Sequence, residues 1–163
     1  MNENSNIFLN KKILIYGLGK SGISSFNFLK KKNDISLYDD NKKILINKKF
    51  KDKFISFNQI NKSKFDIIIL SPGIDIEKCK LKNFLKKNFK IIFTDLDVFN
   101  SFYSNKCITI TGTNGKSTTC KLLYEVLKKQ GFDVKLAGNI GFPILSTSKI
   151  RHNSIFVIEA SSY

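Results

Sequence analysis

The sequence contains no tryptophan, one histidine and one arginine, although 28 of its 163 residues are lysine or arginine. The lone histidine, His152, excludes a histidine-based metal cluster. The near absence of arginine weighs against specific nucleic-acid recognition, because arginine supplies bidentate contacts to bases and phosphates. We therefore interpret the formal net charge of +15 as solvated lysine surfaces, with functional nucleic-acid binding as the alternative.

Cysteine is also sparse and lacks the C-x-x-C spacing of metal and redox sites. The odd set of Cys79, Cys107 and Cys120 predicts free thiols in a reducing compartment. Residues 1–12 lack the apolar core of a signal peptide, and no apolar run is long enough to span a bilayer. With a hydrophobic content of 42%, sufficient for a buried core, these features predict a folded cytoplasmic protein.

Strand-like and helix-like segments alternate along residues 1–94. Short apolar runs predict strands, and apolar residues spaced three and four positions apart predict helices. The predicted strands are 13–16, 35–38, 54–57, 65–70 and 91–93, and the predicted helices are 21–32 and 76–87. This order predicts an α/β fold for domain 1–94, in which helices cover a Rossmann-like parallel sheet.

A second α/β domain is predicted for residues 95–163, beginning with a polar connection over 95–105. Strands are predicted at 108–110, 134–137 and 154–158, with one helix at 117–130. Three parallel strands with a single helix would leave a sheet edge and a sheet face exposed to water. We therefore expect the chain to be a fragment of a longer protein or one half of a split protein.

The segment 111–119, T-G-T-N-G-K-S-T-T, joins a predicted strand to a predicted helix. Free N–H groups and the positive helix end converge there, and Gly112 and Gly115 admit a phosphate close to the backbone. Lys116 adds charge near the β- and γ-phosphates, and the Ser117 hydroxyl can ligate Mg²⁺. The alternative is an ordinary strand-to-helix turn, and the general P-loop would need another glycine just before this segment. The predicted ATP-binding residues are Gly112, Thr113, Asn114, Gly115, Lys116, Ser117, Thr118 and Thr119.

A second glycine loop, at 17–22, fits G-x-G-x-x-G between the first predicted strand and helix. Asp39 and Asp40 stand about 20 residues further on, as in the dinucleotide-binding fingerprint. The pattern predicts a ligand with a diphosphate and a ribose, and glycines required only for packing are the alternative. The Ser-Pro-Gly loop at 71–73 either lines the same crevice or forms a plain type II turn.

Together, these loops resemble those of the Mur ligases, the ATP-dependent enzymes that build peptidoglycan precursors. The T-G-T-N-G-K-S-T loop at 111–118 is similar to their phosphate loop, which folylpolyglutamate synthases share. The loops at 17–22, 71–74 and 138–141, with the acidic pair, narrow the resemblance to the members that add D-glutamate. The tail at 159–163, E-A-S-S-Y, resembles the E-L-S-S-F of the family.

The resemblance implies an ATP-dependent ligase that forms an amide bond between UDP-N-acetylmuramoyl-L-alanine and D-glutamate in peptidoglycan biosynthesis. It implies ATP and Mg²⁺ as cofactors, a monomer, and a UDP-sugar domain followed by the start of a P-loop-type ATP-binding central domain. The amino-acid-binding domain would follow residue 163, so we expect the isolated chain to be inactive. Two other interpretations stay open. One is an NAD(P)-dependent oxidoreductase, which Asp39 and its glycine loop favour, and the other is a non-catalytic nucleotide-binding module.

The resemblance also assigns roles to individual residues. Lys116 and Glu159 would be catalytic, with Ser117 and Glu159 as metal ligands. Asn41 stands where some members have an arginine beside uracil, so that contact is not carried over. The expected UDP-sugar-binding residues are Gly17, Gly19, Lys20, Ser21, Gly22, Asp39, Asp40, Ser71, Gly73 and Asn139.

Overall fold

A computed structural model of the chain describes residues 6–41 and 48–161. They form two compact units that divide between Ser101 and Phe102. Each unit contains its own parallel sheet with helices, which confirms the predicted fold class. No helix in the described ranges is long and apolar enough to cross a membrane. The three cysteines are free thiols, as predicted.

The first unit is built on a four-stranded sheet. Its elements in chain order are β1 (Lys12–Tyr16), α1 (Lys20–Leu29), β2 (Asp34–Tyr38), α2 (Phe57–Lys62), β3 (Ile67–Leu70), α3 (Lys82–Lys87), β4 (Ile92–Phe93) and α4 (Asp95–Phe102). The strands are parallel in the order β2-β1-β3-β4. The chain order therefore changes direction at β1, and α/β sheets bind ligands at the carboxyl ends of strands beside such a point.

Burial of apolar side chains explains why β1 and β3 occupy the centre of this sheet. The residues from Ile13 to Tyr16 and from Ile67 to Leu70 are at most 8% exposed. Such continuous apolar runs are typical of parallel strands that are covered on both faces. On one face, Tyr16 belongs to the same buried cluster as Ile60 of α2 and Leu85 of α3. This packing holds the carboxyl end of β1 against a closely packed layer.

The second unit has a three-stranded parallel sheet. Its elements are β5 (Lys106–Ile110), α5 (Lys116–Lys129), β6 (Val134–Gly138) and β7 (Ile155–Glu159). The strand order is β5-β7-β6, and Cys120 of α5 packs against Val134 and Val157. Glu159 lies in register with Ile110 on one side and with Gly138 on the other. The three strands therefore end at one level, where their following loops meet.

The strand predicted at 54–57 is wrong, because only Phe54 forms a bridge, with Leu37, and α2 begins at Phe57. A capping box starts this helix. The Ser56 hydroxyl accepts the Gln59 N–H, and the Gln59 side chain accepts the Ser56 N–H at 2.7 Å. The local hydrogen bonds therefore outweigh the extended preference of the apolar residues.

The helix predicted at 76–87 is also too long, since only α3 is helical there. The Asp75 carboxylate accepts the Glu77 N–H at 2.9 Å. This side-chain contact offers the backbone a turn in place of the first helical hydrogen bonds. The helix consequently starts later, at Lys82.

The connection predicted at 95–105 begins instead with helix α4. The Thr94 N–H donates to Asp97 Oδ2 at 2.7 Å, and the Asp97 N–H donates to Thr94 Oγ1 at 3.4 Å. These reciprocal bonds cap the helix, and Val98 and Phe99 are fully buried. The residues of α4 up to Ser101 lie in the first unit. The domain boundary between residues 94 and 95 stays a prediction, because compact units and family domains need not divide at one residue.

Candidate functional site

The glycine loop of the first unit lies between β1 and α1, at the carboxyl end of β1. A Cβ on Gly22 would lie 1.8 Å from the Gly17 carbonyl oxygen, so only glycine lets α1 approach this closely. By contrast, a Cβ built on Gly19 has no atom of the described residues within 4 Å apart from those of Gly19 and its chain neighbours. Packing therefore explains Gly22, whereas Gly19 borders open space at the N-terminus of α1, where an anion can approach.

Asp39 connects this loop to the end of β2. Its Oδ2 accepts the Leu18 N–H at 2.6 Å, and its Oδ1 accepts the Asn41 N–H at 2.8 Å. Each carboxylate oxygen therefore already binds a backbone donor of the same unit. Asp39 lies where the fingerprint predicts it, and its observed contacts hold the loop.

Asp40 has a different environment. Its Oδ2 accepts the Tyr16 hydroxyl at 2.6 Å and the Lys80 N–H at 3.3 Å. Its Oδ1 is buried and has no hydrogen-bond partner within the described part of the chain. Burial is the main cause that raises the pKa of Tyr16, and the hydrogen bond to Asp40 adds to it. Tyr16 therefore stays a neutral donor that orients the Asp40 carboxylate.

A cavity of about 550 Å³ opens beside the two aspartates. Its lining is mostly apolar and includes Phe57, which is 44% exposed. Charged groups in the lining come from Asp39, Asp40 and Lys80. The lining residues are Tyr38, Asp39, Asp40, Ile55, Ser56, Phe57 and Lys80. An apolar pocket with a few polar groups suits a small organic ligand.

The other predicted residues of this unit lie around the same strand ends. Lys20 is exposed at the start of α1, and the Ser21 hydroxyl contacts the buried Asp95 carboxylate. The Ser71 N–H donates to the Tyr16 carbonyl at 2.9 Å, which places Ser71 beside the end of β1. The Ser71 carbonyl accepts the Ile74 N–H at 3.0 Å, so a β-turn forms here, but the predicted type II turn is wrong because the φ angle of Gly73 is not positive. Gly73 is the exposed third residue of that turn.

The predicted phosphate loop, residues 111–119, runs from the end of β5 into the first turn of α5. Gly115 precedes the helix with φ of +75°, in the left-handed region that favours glycine. The first helical bond joins the Thr119 N–H to the Gly115 carbonyl at 3.0 Å, so the preceding N–H groups have no intrahelical acceptor. The Lys116 ammonium group folds over the loop and donates to the carbonyls of Gly112 and Thr113. The loop therefore concentrates positive charge at one helix end.

Glu159 stands at the end of the central strand β7 and faces this loop. It is only 6% exposed, and its Oε2 accepts the Ser117 hydroxyl at 2.7 Å. Carboxylate and hydroxyl oxygens are suitable Mg²⁺ ligands. Among the described residues, no group of three or more His, Cys, Asp or Glu side chains could form a metal cage. The pair therefore fits an Mg²⁺ ion that takes its remaining ligands from phosphates and water.

Asn139 lies on the loop after β6 and contacts the segment after β7. Its N–H donates to the Glu159 carbonyl at 3.0 Å, and its Nδ2 donates to Ser161 Oγ at 2.9 Å. The Thr111 hydroxyl donates to the Ser161 carbonyl at 3.3 Å. The sequence analysis assigns no role to Ser161. Ser161 belongs to the segment 159–163 that resembles the family. The last two residues of that segment, Ser162 and Tyr163, lie outside the described residues.

Comparison with known proteins covers both units. The Mur ligase MurD-like, N-terminal domain matches residues 11–93, and the Mur ligase middle domain matches residues 110–163. The chain is 39% identical to UDP-N-acetylmuramoylalanine--D-glutamate ligase of Rickettsia prowazekii, over 97% of this chain and 36% of that protein. The enzyme of the same name from Buchnera aphidicola subsp. Schizaphis graminum is 37% identical, over 96% of this chain and 36% of its own length. The chain thus spans about a third of these relatives.

A solved structure supports the fold. The UDP-N-acetylmuramate:L-alanyl-gamma-D-glutamyl-meso-diaminopimelate ligase from Neisseria meningitides aligns with a TM-score of 0.50. The alignment covers 91% of this chain and 52% of that chain at 19% identity, so it supports the fold alone. The two domain matches and the identity to the D-glutamate ligases are sufficient for assignment, and the chain belongs to the Mur ligase family.

Proposed function

We propose that this chain supplies the UDP-sugar-binding and ATP-binding parts of a cytoplasmic, magnesium-dependent ligase. The reaction would join D-glutamate to UDP-N-acetylmuramoyl-L-alanine in peptidoglycan biosynthesis. The relatives at 37% and 39% identity carry the name of that ligase, which supports this choice within the family. The observation that carries the proposal is the placement of Lys116, Ser117 and Glu159 at one helix N-terminus.

The phosphate loop would bind and orient the β- and γ-phosphates of ATP. Lys116 would exchange its loop carbonyls for phosphate oxygens, and the free N–H groups of the first turn of α5 would donate to the same anion. Mg²⁺, when bound, neutralises charge that develops on the transferred phosphoryl group. Ser117 and Glu159 would hold that ion through their oxygens. These residues supply positioning and electrostatics, which are the main needs of phosphoryl transfer.

In the reaction implied by the family, the γ-phosphoryl group passes to the carboxylate of the UDP-linked substrate and leaves ADP. The amine of D-glutamate then attacks the acyl phosphate, and phosphate leaves as the amide forms. The first unit would hold the UDP part of the substrate. Its open space at Gly19 suits a diphosphate, and the cavity beside Asp40 offers an acceptor for ligand N–H or O–H groups.

Binding to the chain itself tests the two sites separately. Calorimetry with Mg²⁺ and a non-hydrolysable ATP analogue should detect binding that Lys116→Ala abolishes. Lys121→Ala, an exposed lysine change on the same helix, serves as the matched control and should bind normally. UDP-N-acetylmuramoyl-L-alanine should bind the Lys116→Ala chain as well as the unaltered one. Tight NADH binding without UDP-sugar binding would instead support an oxidoreductase.

Turnover is tested at the relatives' full length, because this chain spans about a third of them. A chimera can join residues 1–161 to the C-terminal part of the Rickettsia prowazekii ligase, in place of that protein's own N-terminal third. ADP release should then require both UDP-N-acetylmuramoyl-L-alanine and D-glutamate. If the folded chimera binds ATP and UDP-N-acetylmuramoyl-L-alanine but releases no ADP, the proposed reaction is rejected and a non-catalytic binding module is favoured.

A further inference from the structure

The segment 159–161 joins two loops that are separate motifs in the sequence. On one side, the Ala160 N–H donates to the Ile110 carbonyl at 3.0 Å, just before the phosphate loop. The Ser161 carbonyl accepts the Thr111 hydroxyl, and Glu159 Oε2 accepts the Ser117 hydroxyl. Three consecutive residues therefore contact the beginning of the phosphate loop and the first turn of its helix.

On the other side, the same segment holds the loop of Asn139. A Cβ on Gly138 would lie 2.3 Å from the Glu159 carbonyl oxygen, so the two backbones are in close contact. The same carbonyl accepts the Asn139 N–H, and Ser161 Oγ accepts Asn139 Nδ2. The backbone bond fixes where Asn139 lies, and among the residues that the structure describes the Ser161 hydroxyl accepts its amide group and fixes how that group points.

We propose that Ser161 is a positioning residue that orients the Asn139 amide and couples it to nucleotide binding at the phosphate loop. An amide nitrogen has two N–H donors. One donates to Ser161, so the amide plane is set and the second donor has a defined direction toward a ligand. The inference rests on the proposed function, in which the phosphate loop binds a magnesium nucleotide and Asn139 contacts the UDP-linked substrate.

The coupling follows from contacts that nucleotide binding must change. If Ser117 and Glu159 turn their oxygens toward a metal ion, their mutual hydrogen bond opens. Glu159 lies two residues before Ser161, and the Thr111 hydroxyl binds the Ser161 carbonyl. Nucleotide binding should therefore shift both ends of the segment 159–161. Because linkage is reciprocal, a ligand that binds the oriented Asn139 amide should also favour nucleotide binding.

The test uses the whole ¹⁵N-labelled chain and follows the side-chain amide signals of Asn139 by NMR. The Asn139 side-chain signals are identified as those that disappear from the spectrum of Asn139→Asp. Titration with Mg²⁺ and a non-hydrolysable ATP analogue should shift the Asn139 side-chain pair together with the backbone amides of 112–118. Ser161→Ala should accelerate solvent exchange of the Asn139 side-chain amide by about threefold to tenfold, the range for loss of one hydrogen bond.

In Ser161→Ala the phosphate-loop amides should still respond to nucleotide, and the Asn139 side chain should not. Ser161→Thr keeps the hydroxyl and should restore the response. Ser154→Ala is the matched control, because Ser154 lies before the opposite end of the same strand and donates to Asp133 at 2.6 Å. It should lower stability without changing the Asn139 signals.

An unchanged Asn139 response in Ser161→Ala would overturn this inference and leave the proposed function intact. Failure of the nucleotide to shift the amides of 112–118 in the unaltered chain would overturn both.

Discussion

Two glycines three positions apart in the first loop should respond differently to the same substitution. Gly22→Ala places a methyl group where the Gly17 carbonyl oxygen is 1.8 Å away, so α1 or the loop must move. Gly19→Ala adds the same methyl group where, apart from Gly19 and its chain neighbours, no described atom lies within 4 Å. The first change should therefore affect folding, and the second should affect ligand binding.

The magnitudes follow from the two environments. Overpacking costs about 1–3 kcal/mol, and a backbone contact this short lies at the upper end of that range. Alanine recovers about 1 kcal/mol of helix propensity, which leaves a net loss of about 2 kcal/mol for Gly22→Ala. For Gly19→Ala we expect a loss of about 0.5 kcal/mol, because alanine is a poorer N-cap than glycine. In a chain of this length these losses correspond to falls in Tm of about 4–8 °C and about 1–2 °C.

Thermal unfolding followed by circular dichroism measures the first effect, and calorimetry with UDP measures the second. Gly19→Ala should weaken UDP binding at least about tenfold, because a methyl group obstructs approach to the helix N-terminus. The reasoning fails if Gly22→Ala is as stable as Gly19→Ala, or if Gly19→Ala binds UDP with unchanged affinity.

Three further predictions concern single polar contacts. Tyr16→Phe should lower the free energy of unfolding, measured by urea titration, by about 1–2 kcal/mol, because the change removes a donor to the partly buried Asp40 carboxylate. Glu159→Gln should remove most of the gain in nucleotide affinity that Mg²⁺ provides, and calorimetry with and without the metal measures that gain; an unchanged gain would exclude Glu159 as a ligand. The pKa of Asp133 is lowered by its hydrogen bonds, first from Ser154 and then from Lys135. The ionised Asp133 therefore stabilises the fold above its unfolded pKa, near about pH 4, and this stabilisation is lost as the pH falls through its lower folded pKa. Asp133→Asn should consequently flatten the acid dependence of Tm below about pH 4.

The parts of the structure that depend on local sequence could be predicted. Both glycine loops and the strands before them follow from short apolar runs and glycine spacing, and the structure places each loop between a strand and a helix. The starts of α2 and α4 could also have been predicted, because Ser56 with Gln59 and Thr94 with Asp97 are capping pairs three residues apart. The prediction used apolar and polar composition alone and therefore missed both helix starts. The bond between Asn139 and Ser161 could not be predicted, because it depends on β6 and β7 being neighbours in the sheet.

The acidic pair shows why spacing in the sequence does not identify the residue that contacts a ligand. Asp39 and Asp40 satisfy the dinucleotide fingerprint equally well, and a strand end gives both of them access to the same crevice. The two oxygens of Asp39 already accept N–H groups from Leu18 and Asn41, whereas one buried oxygen of Asp40 has no partner in the described chain. Because each carboxylate oxygen has two lone pairs, Asp39 can keep these backbone bonds and still accept a ligand donor. The acidic pair therefore does not distinguish a nicotinamide nucleotide from UDP, and the glycine loop suits the diphosphate that both ligands contain.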